Sequence, residues 1–398
     1  MPAPRSYQYY KDSLAGRVMP FAFVDLDLFD QNVADVAKRT AKGKTIRVAS
    51  KSLRCVPLLE RIFAANPVYK GILAYCAREA VFLSQQGLDD ILIAYPVMRE
   101  VEETGVAAEL GRGKKIVFMV DCAEHVRHLD RFAGETSNVA PLCIDLDMST
   151  DFPGLHFGVR RSPLTTPEQV VELCRVIAQC KNVRLEGLMG YEAQIAGLPD
   201  NVPGKALMNG VVRVLKARSV PEVRERRRRV VEAVRKEGFT LSFVNGGGTG
   251  SVETTVAEDD VTEVAVGSGF FSSMLFDWYR TFHHFPAVGY AIEITRRPTP
   301  TVYTCHGGGY VASGTGPDKQ PRPYLPEGAS LLPREGAGEV QTPIRYEGPE
   351  TLAIGDPVFM RYSKAGEMCE RFNELLAVSK GIVVSEMPTY RGEGMVFL

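Results

Sequence analysis

The stretch TIRVASKSLR, residues 45–54, combines a strand-like run with a lysine at its end. Residues 46–49 have β-type sequence and run directly into Ser-Lys-Ser, so a strand that looks buried would end on Lys51. A desolvated ammonium is costly unless it is paired or takes part in chemistry. Lys51 is therefore either an ordinary solvated loop lysine or a functional group at the end of a strand.

Runs similar to this first one recur through the first two-thirds of the chain and alternate with segments whose apolar residues have helical spacing. The eight runs are residues 45–50, 71–76, 91–96, 116–121, 142–147, 185–190, 241–248 and 263–269. Nearly continuous apolar strands separated by helices pair in parallel, and eight such units close a barrel. The sequence thus predicts an α/β fold, a (β/α)8 barrel of TIM type over residues 31–280.

The strand-like run FAFVDLD, residues 21–27, lies outside this count, and after about residue 280 the texture becomes β-rich with many Gly and Pro. We expect a second, mostly β domain at the C-terminus, residues 281–398. The N-terminal segment 1–30 is predicted to pack its strand with that domain.

Charge and hydropathy exclude several classes of partner. The formal net charge is −1, and no stretch approaches the roughly 18 apolar residues of a membrane span. The basic run RRRR (226–229) is interleaved with glutamates at helical spacing, which favours a solvated helix face over a nucleic-acid patch. The amino terminus lacks the apolar region of a secretory signal. We expect no nucleic-acid or membrane partner and a cytoplasmic location.

Two glycine-rich stretches follow the last two predicted strands: VNGGGTGS (244–251) and VGSGFFSS (266–273). In such barrels the loops after strands seven and eight commonly bind phosphate, and Lys51 would share their rim. Neither stretch has the spacing of a nucleotide-binding motif. A phosphate-bearing cofactor that a lysine amine captures is pyridoxal 5′-phosphate, held as a Schiff base.

With these motifs in place, the chain resembles the fold-type III pyridoxal-phosphate enzymes, the alanine racemase-like barrels. Within them it is similar to the D-threonine aldolase and D-serine dehydratase group. The matching stretches span nearly the whole chain: FAFVDLD, RVASKSLRCVPLL, FGVRRSPL (157–164), GLMGYEAQIAG (187–197), FVNGGGTGS and VAVGSGFF.

The resemblance implies that Lys51 is the Schiff-base lysine, that Arg160 contacts the cofactor ring or its phenolic oxygen, and that Tyr191 neighbours the cofactor. It also implies a set of phosphate-site residues: Gly247, Gly248, Thr249, Gly269 and Phe270. Other interpretations stay open at two positions, because Arg160 and Arg161 could be an exposed pair and Tyr191 could simply fill the barrel rim.

The same resemblance implies a divalent metal held in the C-terminal domain by a histidine and a second ligand two residues later. The corresponding stretch, FMRYSKAGEMCERFNE (359–374), departs from that pattern because Tyr362 stands at the histidine position. Glu367 and Cys369 are also candidate ligands. Of the six histidines, His306 in CHGGG is the best candidate for a base or ligand that faces the cofactor.

Several reactions remain open. The first hypothesis is a lyase that cleaves a D-configured or α-substituted β-hydroxy amino acid by retro-aldol chemistry. The alternatives are β-elimination to a keto acid, and racemisation with a tyrosine from the second domain, for which the candidates are Tyr303, Tyr310, Tyr346 and Tyr362. A non-enzymatic pyridoxal-phosphate carrier is the alternative from another class. We expect a small amino acid substrate and a homodimer.

Overall fold

The computed structural model describes residues 5–40, 43–314, 319–364 and 366–398, and its elements are numbered along the chain. Helix α1 (Tyr7–Ser13) and strand β1 (Phe21–Asp25) come first. Eight parallel strands then close a barrel: β2 (Thr45–Ala49), β3 (Tyr69–Ala74), β4 (Ile91–Ile93), β5 (Ile116–Val120), β6 (Ala140–Asp147), β9 (Val183–Tyr191), β10 (Phe243–Gly246) and β11 (Glu263–Val266). All eight predicted barrel strands are confirmed.

Helices surround this barrel and supply the connections between parallel strands. They are α2 (Leu26–Arg39), α3 (Val56–Ala65), α4 (Ala77–Gln85), α5 (Glu100–Gly111), α6 (Ala123–Glu135), α7 (Pro167–Gln179), α8 (Ala193–Ala196), α9 (Ala206–Lys236), α10 (Val252–Val256) and α11 (Ser268–Phe271). Local sequence explains their starts: α7 opens with a capping box between Thr166 and Gln169 and has Pro167 at its first position. None of the described helices combines the length and apolar composition that a membrane span requires.

The barrel strands are apolar on both faces because helices cover the outside and side chains fill the inside. All five residues of β5 are buried. Some barrel residues are charged: Arg47 in β2 is only 1% exposed and donates to the carboxylate of Glu263 in β11 at 2.6 Å. Its charge is therefore neutralised where it is buried.

The C-terminal domain is a nine-stranded sheet that includes the N-terminal strand. Its remaining strands are β12 (Val288–Thr299), β13 (Val302–His306), β14 (Arg322–Leu325), β15 (Ser330–Leu331), β16 (Gln341–Arg345), β17 (Pro357–Arg361), β18 (Glu374–Ser379) and β19 (Ile382–Pro388). Strand β1 lies between β12 and β18, antiparallel to the first and parallel to the second. The expectation that FAFVDLD pairs with the β domain is confirmed.

A hairpin and several short 3-10 helices interrupt these regular layers. A hairpin of β7 (Thr150–Phe152) and β8 (Leu155–Phe157) follows β6, so the arginine pair 160–161 leaves a hairpin rather than a barrel strand. Short 3-10 helices span Ser50–Ser52, Met274–Phe276 and Glu367–Glu370. The first of them holds Lys51 at the carboxyl end of β2, the end at which barrel enzymes place their chemistry.

Candidate active site

Lys51 lies at the mouth of the barrel with its side chain exposed, while the flanking Ser50 and Ser52 are buried. The segment is fixed to its neighbours because the hydroxyl of Ser50 donates to the carbonyl of Leu73 at 3.1 Å. The surrounding protein displaces water from the ammonium and lowers its pKa, and the charges of Arg161 and Lys364 lower that pKa further. A lowered pKa increases the fraction of neutral, nucleophilic amine.

The two glycine-rich loops meet beside Lys51. The hydroxyl of Thr249 accepts the N–H of Gly269 at 3.0 Å, which joins the loop after β10 to the start of α11. The hydroxyls of Ser52 and Ser268 are 3.2 Å apart and join the lysine segment to the same loop. No described residue accepts the backbone N–H of Thr249, which leaves a donor for an anion. Phe270 is fully buried beneath this junction.

Glycine is required where the first loop passes other groups closely. Gly247 has φ +79°, in the left-handed region. A Cβ on Gly248 would lie 2.8 Å from the Cβ of Ala196 and 3.1 Å from the ring of Tyr191. The predicted Tyr191, at the end of β9, is thus packed against the predicted phosphate loop.

Arg161, rather than Arg160, faces this group of residues. The guanidinium of Arg161 lies 5.4 Å from the ring centre of Tyr191 and 5.3 Å from that of Tyr95. Arg160 is exposed, and its side chain has no hydrogen bond or ion pair with a described residue. The position after the hairpin therefore makes Arg161 the better candidate for the cofactor contact assigned above to Arg160.

Glu192 is a site residue that the sequence reasoning missed. Its carboxylate is buried and accepts the N–H of Gly247 and a guanidinium N–H of Arg227, both at 3.1 Å. Its other oxygen accepts the hydroxyls of Ser251, at 3.1 Å, and Thr255. The Glu192 carboxylate therefore fixes the glycine loop through hydrogen bonds to three of the residues that follow β10. Its place directly after Tyr191 in GLMGYEAQIAG is the only signal that the sequence offers.

The RRRR run differs from its predicted role as a wholly solvated face. Arg228 forms the expected surface pairs with Glu225 and Glu232, both at 2.6 Å. Arg227 is instead 1% exposed and pairs with Glu192 and Glu258. The prediction was wrong for Arg227 because the turn of α9 at this position faces the barrel, where two buried carboxylates require a cation.

Arg39 of α2 supports the same loop from outside. Its guanidinium donates to the carbonyl of Thr249 at 2.7 Å and to the carboxylate of Glu253 at 2.6 Å. A third contact joins it to the ring nitrogen Nε2 of His284 at 2.9 Å. Burial lowers the pKa of His284 to about 3, and the charge of Arg39 adds to that effect. His284 is therefore neutral at ordinary pH.

A buried carboxyl lies deeper in the mouth. Asp145 near the end of β6 is 3% exposed, and burial raises its pKa to about 7. The negative charges of Asp121 and Asp147 raise that pKa, whereas Arg161 lowers it. Such a carboxyl exchanges protons near neutral pH, a property that active sites use.

One loop of the C-terminal domain that contacts the barrel mouth consists of residues 362–364 and 366–370, and we call it the rim loop. A Cβ on Gly366 would lie 2.6 Å from the carbonyl oxygen of Lys51. The carbonyls of Tyr362 and Ser363 accept the N–H groups of Met274 and Leu275 at 3.3 and 3.1 Å. The rim loop is thus in direct contact with the lysine segment.

The predicted His306 ends β13 with an exposed side chain, paired in the sheet with residues 293 and 341. No hydrogen bond joins its side chain to Lys51 or to any other described residue. The structure does not bring it together with the other predicted residues of the site within one chain.

The rim loop lacks the histidine of the divalent metal site that the resemblance implies. Tyr362 is buried with an unpartnered hydroxyl, and Cys369 is a buried thiol whose pKa is raised by burial. Glu367 accepts the N–H of Ser313 at 2.9 Å. Among the described residues, the group that brings three metal-ligating atoms together is Asp121, Cys122 and His125, at the carboxyl end of β5.

Residues 24–273 match the family model described as alanine racemase, N-terminal domain. The chain is 23% identical over 235 residues to 3-hydroxy-D-aspartate aldolase of Paracoccus denitrificans (strain Pd 1222), covering 58% of this chain and 54% of that protein. It therefore spans about half the length of the curated relatives it matches.

Two solved structures share the fold over nearly all of the chain. D-threonine aldolase from Filomicrobium marinum superposes with a TM-score of 0.80 at 17% identity and covers 96% of both chains. D-threo-3-hydroxyaspartate dehydratase from Delftia sp. HT23 gives 0.78 at 18% identity and covers 95% of this chain and 99% of that one. A variant of D-threo-3-hydroxyaspartate dehydratase has been solved in a metal-free form.

Proposed function

This chain belongs to the alanine racemase N-terminal domain family, whose members are fold-type III pyridoxal-phosphate enzymes, and from this premise we propose that it is a lyase. The proposed reaction breaks the Cα–Cβ bond of a D-configured or α-substituted β-hydroxy amino acid. The observation that carries the proposal is the exposed Lys51 amine, with a lowered pKa, beside two joined glycine loops.

The residues present fit pyridoxal 5′-phosphate. Lys51 would hold its aldehyde carbon, while the loops at Gly248, Thr249 and Gly269 would hold its phosphate. Tyr191 and Arg161 would border the ring, with Arg161 replacing Arg160 in that role. When bound, this cofactor withdraws the electron pair of a breaking bond at Cα into its pyridine ring.

The chain's own residues then select which bond breaks. Retro-aldol cleavage requires a group that removes the proton of the β-hydroxyl and a charge that stabilises its oxygen. The Lys51 amine suits the first task because its pKa is lowered. The rim loop, in contact with the backbone of Lys51, would border the substrate on one side.

The contact of the rim loop with the Lys51 segment favours an enzyme over a pyridoxal-phosphate carrier. A protein that only carries the cofactor does not need a second domain beside its lysine. The small amino acid substrate rests on the names of the relatives: the Paracoccus protein is an aldolase, and the Delftia protein is a dehydratase. The homodimer and the cytoplasmic location stay predictions.

The first experiment is product analysis. The protein loaded with pyridoxal 5′-phosphate is incubated with D-threonine, D-serine and α-methylserine. Glycine or D-alanine with an aldehyde supports the proposal, whereas keto acid and ammonia would show β-elimination instead. An inverted amino acid with no aldehyde would show racemisation, and turnover of none of the three would leave the carrier alternative standing.

The second experiment tests the lysine. Lys51→Ala removes the amine that captures the cofactor, so we expect loss of the visible absorbance band of the bound cofactor and at least about a thousandfold loss of kcat. Lys70→Ala, at an exposed position on β3, is the matched control and should retain both. An unchanged spectrum in Lys51→Ala would reject the assignment.

A further inference from the structure

Three side chains of different chemistry converge where β5 leads into α6. Asp121, Cys122 and His125 each offer one ligand atom, and the three atoms lie within 4.8 Å of one another. Asp121 directly follows β5, and Cys122 directly precedes α6. The group therefore lies at the carboxyl end of a barrel strand, the same end at which Lys51 follows β2.

The start of α6 explains why these side chains meet. Cys122 is the N-cap and His125 is the third helical residue, and side chains at these two positions face each other, as they do in a capping box. Cysteine is not a favoured N-cap residue, and the thiol of Cys122 makes no capping hydrogen bond within the described helix α6. A serine would fill the structural role at this position better, so capping does not account for the thiol.

The contact between His125 and Asp121 differs from another imidazole–carboxylate pair on the same helix. His128, one turn later, is hydrogen-bonded to the carboxylate of Glu103 at 2.7 Å. Nδ1 of His125 lies 3.0 Å from Oδ1 of Asp121, yet it accepts the backbone N–H of that residue at 3.4 Å. A ring nitrogen that accepts a hydrogen bond carries a lone pair rather than a proton. Two lone pairs therefore lie side by side, and a cation bound by both atoms would make their contact favourable.

The surroundings of this group also favour a cation. The negative charge of Asp121 raises the pKa of the buried Asp145, Asp147 adds to that effect and Arg161 opposes it, so carboxylates gather on this side of the barrel mouth. The side chains of Asp121 and His125 are 14% and 19% exposed, which leaves an entry path from solvent. The dipole of α6 opposes a bare cation at its N-terminus, but a carboxylate and a thiolate together neutralise a divalent ion.

We infer that Asp121, Cys122 and His125 form a binding site for Zn²⁺. A carboxylate, a thiolate and an imidazole are the ligands that zinc takes in proteins, whereas Ca²⁺ and Mg²⁺ require oxygen ligands. Zn²⁺ deprotonates a coordinating thiol, and the proton is released to the buffer. Three protein ligands leave the fourth tetrahedral position to water or to an anionic ligand. This site lies in the barrel, apart from the C-terminal metal that the resemblance implies, and it does not rest on the proposed lyase reaction.

Zinc binding is the first test, and its readout does not depend on activity. The full chain, loaded with pyridoxal 5′-phosphate, is treated with EDTA, the EDTA is removed, and Zn²⁺ is titrated in competition with a chromophoric chelator. We expect about one Zn²⁺ per chain. A protein that binds no Zn²⁺ in this titration would overturn the inference.

Substitution of the ligands tests where the ion binds. Cys122→Ser and His125→Asn should each weaken Zn²⁺ binding by more than about 100-fold, because removing even a group that only supports a metal ligand costs about 10- to 100-fold. Serine is a favoured N-cap residue, so Cys122→Ser preserves the start of α6. Wild-type affinity in both variants would overturn the ligand assignment.

Two matched controls separate this site from other thiols and imidazoles. Cys180→Ser replaces a half-buried thiol at the end of α7, and His156→Asn replaces an imidazole in β8 that also pairs with a carboxylate. Both should bind Zn²⁺ as the wild type does. Loss of binding in Cys369→Ser, with binding retained in Cys122→Ser, would place the ion in the rim loop and overturn the inference.

Co²⁺ in place of Zn²⁺ identifies the ligands by spectroscopy, because Co²⁺ absorbs visible light and Zn²⁺ does not. We expect the strong d–d bands of tetrahedral Co²⁺ at longer wavelength than the cofactor band, together with a thiolate charge-transfer band that Cys122→Ser removes. The weak spectrum of six-coordinate Co²⁺, or a charge-transfer band that survives in Cys122→Ser, would overturn the proposed ligand set. If product analysis finds no lyase reaction, these binding and spectral results still decide whether the zinc site exists.

Discussion

Replacing Glu192 by glutamine tests whether the buried carboxylate shapes the phosphate loop. The carboxylate accepts four hydrogen bonds, two at each oxygen, from Gly247, Arg227, Ser251 and Thr255. A glutamine amide can keep its oxygen toward Gly247 and Arg227 and donate its N–H groups to the hydroxyls of Ser251 and Thr255, but it removes the charge that pairs with the buried guanidinium of Arg227. Removing one partner of a buried ion pair costs about 3–5 kcal/mol, and the second pair of Arg227, with Glu258, keeps the loss near the lower figure.

Part of this loss falls on the loop and weakens cofactor binding. If about 2 kcal/mol is needed to reorder the loop, the dissociation constant for pyridoxal 5′-phosphate rises about 30-fold, because 1.4 kcal/mol corresponds to a factor of ten. The assay is a fluorescence titration of the apo protein with the cofactor, alongside urea unfolding of the same samples. We expect weaker binding together with a lower urea midpoint.

Glu222→Gln is the matched control, since Glu222 pairs with Arg226 at 2.8 Å on the same helix as Arg227 but is 44% exposed. An exposed pair contributes at most about 1 kcal/mol, so cofactor binding should remain at the wild-type level. Wild-type affinity and stability in Glu192→Gln would refute the reasoning, as would equal effects of the two substitutions.

Two more predictions concern charge near the site. Arg161→Gln removes a positive charge that lowers the pKa of Lys51, so cofactor capture should require a higher pH and binding should weaken about tenfold or more. Arg160→Gln is the control and should leave the pH profile of capture unchanged. A larger effect of Arg160→Gln than of Arg161→Gln would contradict the assignment of Arg161 to the site. Because His284 has a folded-state pKa of about 3, below that of the unfolded chain, the unfolded state binds the extra proton and stability falls as pH drops from about 6.5 toward 3, by about 1.4 kcal/mol per pH unit. His284→Gln should flatten this dependence in urea unfolding between pH 7 and 5, and identical slopes for the two proteins would count against it.

The barrel was predictable because its signals are local. A short apolar run indicates each strand, and helical spacing of apolar residues indicates each crossover helix. Eight such runs predict a closed barrel. The glycine loops were predictable for the same reason, since close backbone approach at Gly248 leaves no room for a side chain. The position of Lys51 at the barrel mouth was predictable because it directly follows the first barrel strand, β2.

The choice between Arg160 and Arg161 was not predictable, because neighbouring residues on an irregular segment differ only in the direction they face. That direction is set by the β7–β8 hairpin, whose position depends on the packing of the barrel around it. The burial of Arg227 has a similar origin, since three of its neighbours in the run are arginines as well. Only the docking of α9 on the barrel separates a buried cation from its exposed neighbours.

Residues far apart along the chain complete the site, and local sequence patterns do not predict their contacts. The Glu192–Arg227 pair joins residues 35 positions apart, and the rim loop reaches Lys51 from more than 300 residues away. Periodicity and glycine content specify which elements form and where each one ends. The burial of a charge, and the partner that neutralises it, depend on how those elements pack, because desolvation and Coulomb energy act through space rather than along the chain.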